Sequence, residues 1–189
     1  MTRNVKRFLA GSLLSLTPSI AFAGQIELGY PDLLSERGEY VSLSEGAVQI
    51  PVRKGPSVAS VAPAIEDLFV LNQTGVNITR AVQILTGTIV GIWGTNPVTT
   101  GTYGGYQISA PAPTPAPPTL IQQYYYTVDP ANPAGSKTCV WRVEVVDNAG
   151  ACNAQVFFGT YGGAVCTVDA AQSFIDPVTC QTQIVTIMQ

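Results

Sequence analysis

The sequence predicts an all-β protein: an antiparallel β-sandwich, Ig-like or jelly-roll-like, with at most one short helix and with disulfides stapling its C-terminal part. Three observations carry this expectation. Apolar residues recur with a period of two in many short stretches, the spacing that turns one face of a strand toward a core. Gly, Pro, Asn and Asp, the residues that turns require, separate those stretches. Four cysteines, Cys139, Cys152, Cys166 and Cys180, fall in the last third of the 189 residues, 13, 14 and 14 positions apart.

The chain opens with the basic stretch Thr2-Arg3-Asn4-Val5-Lys6-Arg7, an apolar run from Phe8 to Phe22, and the small-x-small pattern Ala21-Phe22-Ala23. This is the tripartite order of a cleavable signal peptide over residues 1–23, which starts the mature chain at Gly24. A signal anchor fits less well, because a membrane-spanning helix needs about 20 apolar residues and Thr17-Pro18-Ser19 interrupts a shorter run. No cysteine lies near position 24, so the acylated cysteine that begins a lipoprotein is missing. A secreted destination, periplasmic or extracellular, follows as an expectation. In such an oxidising compartment the four cysteines read as two disulfides, with three pairings open.

Charge and composition exclude several partners and chemistries. Without Arg3, Lys6 and Arg7 the mature chain keeps six basic residues against twelve acidic, a formal charge of −6, which argues against nucleic acid or anionic lipid as partner. Only 11% of residues are charged, less than half of the roughly 25% usual in globular domains, so neutral polar residues must carry the surface. The chain has no histidine. That removes Ser-His-Asp and Cys-His hydrolysis, histidine-based zinc sites and c-type haem attachment together. There is no C-x-x-C pair either, so neither a metal nor a cofactor is expected.

Taken in order, the mature chain begins with mixed signals, a turn at Tyr30-Pro31-Asp32 and at most one helical turn at Leu33–Glu36. Two short strands then flank Ser44-Glu45-Gly46: Val41 and Leu43 alternate with polar neighbours, as do Val48, Ile50 and Val52. Pro51 makes the second an edge strand. Pro63–Phe69 has Pro at a helix start, acids in the first turn and Ile65, Leu68 and Phe69 at i, i+3 and i+4, so the one short helix is placed there, with a strand through Leu68–Leu71 as the close alternative. The strongest alternation follows: Val76, Ile78, Val82, Ile84, Val90 and Ile92 share one parity, as one long strand or two, with Thr86-Gly87-Thr88 as bulge or turn.

A proline run over residues 110–119 cannot join a sheet interior and reads as an extended linker or loop between a β-rich part, 24–109, and a disulfide-containing part, 120–189. Each part is small for an independent core, so a single domain over 24–189 is favoured. In the second part, Leu120–Val128 is a strand carrying Tyr124, Tyr125 and Tyr126. Cys139, Trp141, Val143 and Val145 face inward opposite Arg142 and Glu144, and Gln155–Phe158, Ala164–Val168 and Gln183–Met188 complete the set. The string Gly-Thr-Tyr-Gly-Gly occurs twice, at 101–105 and 159–163. The match does not extend, so it reads as a recurring hairpin turn rather than a duplicated domain.

No motif selects a catalytic residue. Asp147, Asn148 and Asn153 around Gly150 lack the spacing of a calcium loop and read as a β-turn. Glu66 and Asp67 are adjacent, diverge on either a helix or a strand, and read as capping or solvated acids. The aromatic residues are the remaining resource: Tyr103, Tyr124, Tyr125, Tyr126 and Tyr161 form the expected contact surface, while Trp93 and Trp141 are expected in the core. The functional expectation is an exported, non-enzymatic structural or adhesive β-protein of the bacterial periplasm, cell surface or extracellular space, meeting a protein partner by self-association or surface assembly. A carbohydrate- or ligand-binding module using exposed tyrosines is the alternative. A small outer-membrane barrel and a carboxylate-dependent hydrolase stand behind both.

Overall fold

The computed structural model describes residues 47–54, 63–84, 86–111, 120–148 and 150–189. Residues 1–23, read as a signal peptide, the segment 24–46 with its expected strand and turn, and positions 112–119 of the proline run lie outside the described residues. The described chain is all-β, with eleven strands in two packed sheets. In chain order these are β1 (Val48–Gln49), β2 (Ala64–Asn72), β3 (Thr79–Ile84), β4 (Thr88–Trp93), β5 (Tyr103–Ala110), β6 (Leu120–Thr127), β7 (Thr138–Asn148), β8 (Ala151–Tyr161), β9 (Cys166–Val168), β10 (Phe174–Ile175) and β11 (Thr182–Met188).

The five-stranded sheet runs β1-β8-β7-β6-β3, with every neighbour antiparallel. Pro51 lies two residues past the end of β1, and β1 is an edge strand, as that proline leads one to expect. The six-stranded sheet runs β10-β11-β2-β5-β4, with β9 also paired to β11. One pair departs from the antiparallel expectation: β11 runs parallel to β2 from Thr182 opposite Glu66 to Met188 opposite Asn72. Each sheet draws strands from both sides of the proline run.

The short helix expected at Pro63–Phe69 is instead the start of β2. Pairing on both flanks, to β5 and β11, fixes a period of two, and burial alternates through all nine residues. Ala64, Glu66, Leu68, Val70 and Asn72 point inward, so the i, i+3, i+4 set Ile65, Leu68 and Phe69 is split between faces. The long alternation after Val76 is two strands in different sheets. β3 pairs with β6 and β4 with β5, and the chain crosses between them at Thr86-Gly87. Gly87 has φ +96°, and a Cβ there would run into the carbonyl oxygen of Ser109, so glycine is required at this corner.

The core lies between the sheets. Trp141 stacks on Tyr124 at 5.5 Å between centroids, and Tyr126 meets both edge-on, at 6.4 Å from Tyr124 and 6.3 Å from Trp141. Leu68, Ile108, Leu120, Ile175, Ile184 and Met188 close around them. Two disulfides tie the layers. Cys139–Cys166 joins β7 of one sheet to β9 of the other, and Cys152–Cys180 joins β8 to the turn before β11. They span 27 and 28 positions, lengths for which chain-entropy arguments give about 3–4 kcal/mol of stabilisation each.

The two Gly-Thr-Tyr-Gly-Gly strings border turns in opposite senses. The first leads from a turn at Gly101 into β5, and the second leads out of β8 into a turn at Gly162 and Gly163. Between β7 and β8 the Gly150 amide donates to Asp147 Oδ1 at 2.8 Å, the turn chemistry expected of this stretch.

Candidate functional site

The structure does not bring the five expected tyrosines to one surface. On β6, Tyr124 and Tyr126 point inward and are 1% exposed, and burial pushes both phenols well above their ordinary range. Tyr125 points to the opposite face of its sheet and is also buried, beside Val140 of β7. Tyr161 is half-buried at the end of β8, and Tyr103 at the start of β5 is exposed. Trp141 lies in the core as expected. Trp93 does not: it sits on an edge strand, 39% exposed.

The outer face of the six-stranded sheet is where apolar side chains collect instead. Register places Val185 of β11, Phe69 of β2, Gly105 of β5 and Trp93 of β4 in one row across four strands. Gly105 has no side chain to fill the row, so the Phe69 and Trp93 rings stack over it, 6.0 Å apart and 28° from parallel. A Cβ at Gly105 would also meet the Leu68 carbonyl, so this gap is fixed by the backbone. Leu71 and Tyr103 make the next row, and on the other side Gln107 Nε2 donates to Asp67 Oδ1 at 3.0 Å.

This face ends at β4, Thr-Ile-Val-Gly-Ile-Trp, which holds no charge and no proline. Ile89 is 38% exposed, Val90 55% and Ile92 57%. A bulge between Ile89 and Gly91 breaks the register with β5, so Val90 has no partner opposite it there. Edge strands of monomeric proteins usually carry Lys, Pro or inward charges against pairing with other chains, and β4 has none of these. The sequence signal was present: six uncharged, mostly β-branched or aromatic residues between Gly87 and Gly94. Parity groups only Val90 and Ile92 with Val76, Ile78, Val82 and Ile84; Ile92 does lie opposite the inward Tyr106, but at an edge that leaves it uncovered.

Glu66 is the second feature that residue types alone left unmarked. Expected as a solvated acid, it is fully buried between the sheets, where Gln122 Nε2 of β6 donates to its Oε2 at 2.7 Å. Burial raises its carboxyl to about 7, against the opposing pull of that hydrogen bond. Asp67 lies on the other face, so this adjacent pair cannot form the facing carboxylates that glycoside hydrolysis requires. The chain holds two N-x-S/T glycosylation patterns, Asn72-Gln73-Thr74 and Asn77-Ile78-Thr79; Asn72 is buried and donates to the carbonyls of Val76 and Val98 at 2.7 and 2.9 Å, while Asn77 is exposed. Among the described residues no three His, Cys, Asp or Glu side chains come close enough to hold a metal ion. No protein-family profile matches the chain, and no curated protein is similar to it.

Proposed function

We propose that this protein is an exported, non-enzymatic structural or adhesive component that works by contact, and that copies of it associate through the β4 edge and the adjoining outer face of the six-stranded sheet. The observation that carries this reading is the uncharged β4 edge, with Ile89, Val90, Ile92 and Trp93 at the surface. Strand addition to such an edge supplies main-chain hydrogen bonds and covers the apolar side chains together. The chain is acidic overall, and β4 is a stretch along which two copies meet without opposing like charges. Two disulfides support an oxidising compartment, periplasmic or extracellular. Size-exclusion chromatography with light scattering over a range of concentrations tests the reading. Mass above the monomer, restored to monomer by Ile92→Lys, is expected, and a strict monomer at high concentration overturns it.

A second reading, a glycan-binding module, is favoured by the stacked Phe69–Trp93 pair beside Gln107 and Asp67, because flat aromatic faces flanked by polar side chains suit sugar rings. It predicts a glycan-array response that Trp93→Ala abolishes, and silence across the array removes it.

A further inference from the structure

The interior holds two neighbouring side chains with too many acceptors. Glu66 on β2 and Gln122 on β6 are both fully buried. Gln122 Nε2 donates to Glu66 Oε2 at 2.7 Å and to the Thr86 carbonyl at 2.6 Å, which uses both of its N–H bonds. The remaining oxygen of each side chain, Glu66 Oε1 and Gln122 Oε1, is buried with no hydrogen-bond partner among the described residues. Buried acceptors without donors are costly in a low dielectric. One proton satisfies both.

We propose that Glu66 is a protonated latch between the two sheets: its Oε1–H donates to Gln122 Oε1, closing a carboxyl–amide ring with the existing Nε2–Oε2 bond, and loss of that proton loosens the sandwich as pH rises. The inference is independent of the contact role proposed above.

Beyond the Gln122 Nε2–H donor, no charged partner among the described residues faces the Glu66 carboxyl. Across the sheet it has Thr182 of β11 on one side, with Ile175 of β10 beyond, and Ile108 of β5 on the other. The opposite sheet presents Leu120, Gln122 and Tyr124 of β6, with Trp141, Val143 and Val145 of β7 beside them. The titratable groups on these inner faces are the phenols of Tyr106, Tyr124 and Tyr126, all pushed up by burial, and the Arg80 guanidinium of β3, which lies over the Tyr106 ring at 5.4 Å and donates to the Trp93 carbonyl at 3.0 Å. The other nearby formal charges are turned elsewhere. Asp67 is held by Gln107 on the outer face, and Asp176, after β10, lies beside Arg53. Burial without a cation beside it raises the Glu66 carboxyl to about 7, in agreement with the hydrogen-bond geometry.

The test is an NMR titration of the Glu66 side-chain carboxyl in the full chain, together with unfolding measured from about pH 4 to about pH 9 for the wild type and for Glu66→Gln. The variant keeps a neutral partner that can close an amide–amide ring with Gln122. The expected titration midpoint is about 7. Between about pH 4 and pH 8 the wild-type folded-to-unfolded ratio should fall, relative to Glu66→Gln, by roughly two to three powers of ten. A Glu66 midpoint in the ordinary carboxylate range, or the same pH slope in both proteins, overturns the proposal. If Glu66→Gln does not fold, the wild-type midpoint decides alone.

Discussion

β2 and β7 both run through the middle of a sheet, and they sort their side chains in different ways. β7 turns Cys139, Trp141, Val143 and Val145 to the core and sends Arg142 and Glu144 to the far face, where Arg142 Nε donates to Glu144 Oε1 at 2.6 Å. β2 turns Glu66 and Asn72 inward beside Leu68 and Val70, and leaves Ile65, Phe69 and Leu71 on the outside. The strand at the edge of β2's sheet carries the inversion further, with Trp93 on the outer face, while Ile92, opposite the inward Tyr106, is left uncovered at the edge. A sheet sorted like that of β7 is a stability framework. A sheet that buries an acid and exposes aromatic rings gives up stability that a purely structural layer would keep, a concession that fits the contact role proposed for it.

The contrast can be broken first at its strongest point. Trp141→Ala removes the centre of the aromatic cluster, with an expected loss of about 4 kcal/mol and a fall in Tm of roughly 8–16 °C, read by thermal unfolding. Replacing Cys139 and Cys166 together by Ala should cost about 3 kcal/mol in a denaturant titration, since the bridge closes a span of 27 positions.

The pH arm isolates the other sheet. The folded pKa of Glu66, about 7, lies above the unfolded value near 4.5, so the folded state holds its proton more tightly. The associated stability is fully present below the unfolded value, falls as pH rises between the two, and is gone above the folded one. The total is about 3 kcal/mol, and Glu66→Gln should flatten this part of the stability profile. The smallest effect on folding belongs to β4: Ile92→Lys, at a half-exposed site, should change stability within about 0.5 kcal/mol while abolishing self-association.

The same contrast explains what could be read from the residues in advance. β7 was legible because its apolar positions alternate with Arg142 and Glu144, so composition and parity agree. The Asp-Asn-x-Gly turn after it was legible for the same reason, as its carboxylate is spent on its own backbone. β2 was misread because its inward set includes Glu66 and Asn72 and its outward set includes Ile65 and Phe69, which leaves a helical spacing as the more regular pattern. Only the partners β5 and β11 decide the period, and pairing is not visible in a local window. Trp93 failed for a related reason: an edge position is a property of the sheet, not of the residue. Tyr124-Tyr125-Tyr126 misled through residue type, because strand alternation required one ring on the outer face but could not say that this ring, too, would be covered.

The parallel ladder between β2 and β11 sets a timetable. Glu66 pairs with Thr182, 116 positions later by subtraction of their numbers, whereas β6, β7 and β8 follow one another directly and form an antiparallel meander. On a chain delivered residue by residue, the meander can assemble as it emerges, but one flank of β2 stays open until Met188 has arrived. β11 is therefore the strand that closes the sheet, and until it arrives the apolar flank of β2 is the segment that most needs protection from neighbouring chains.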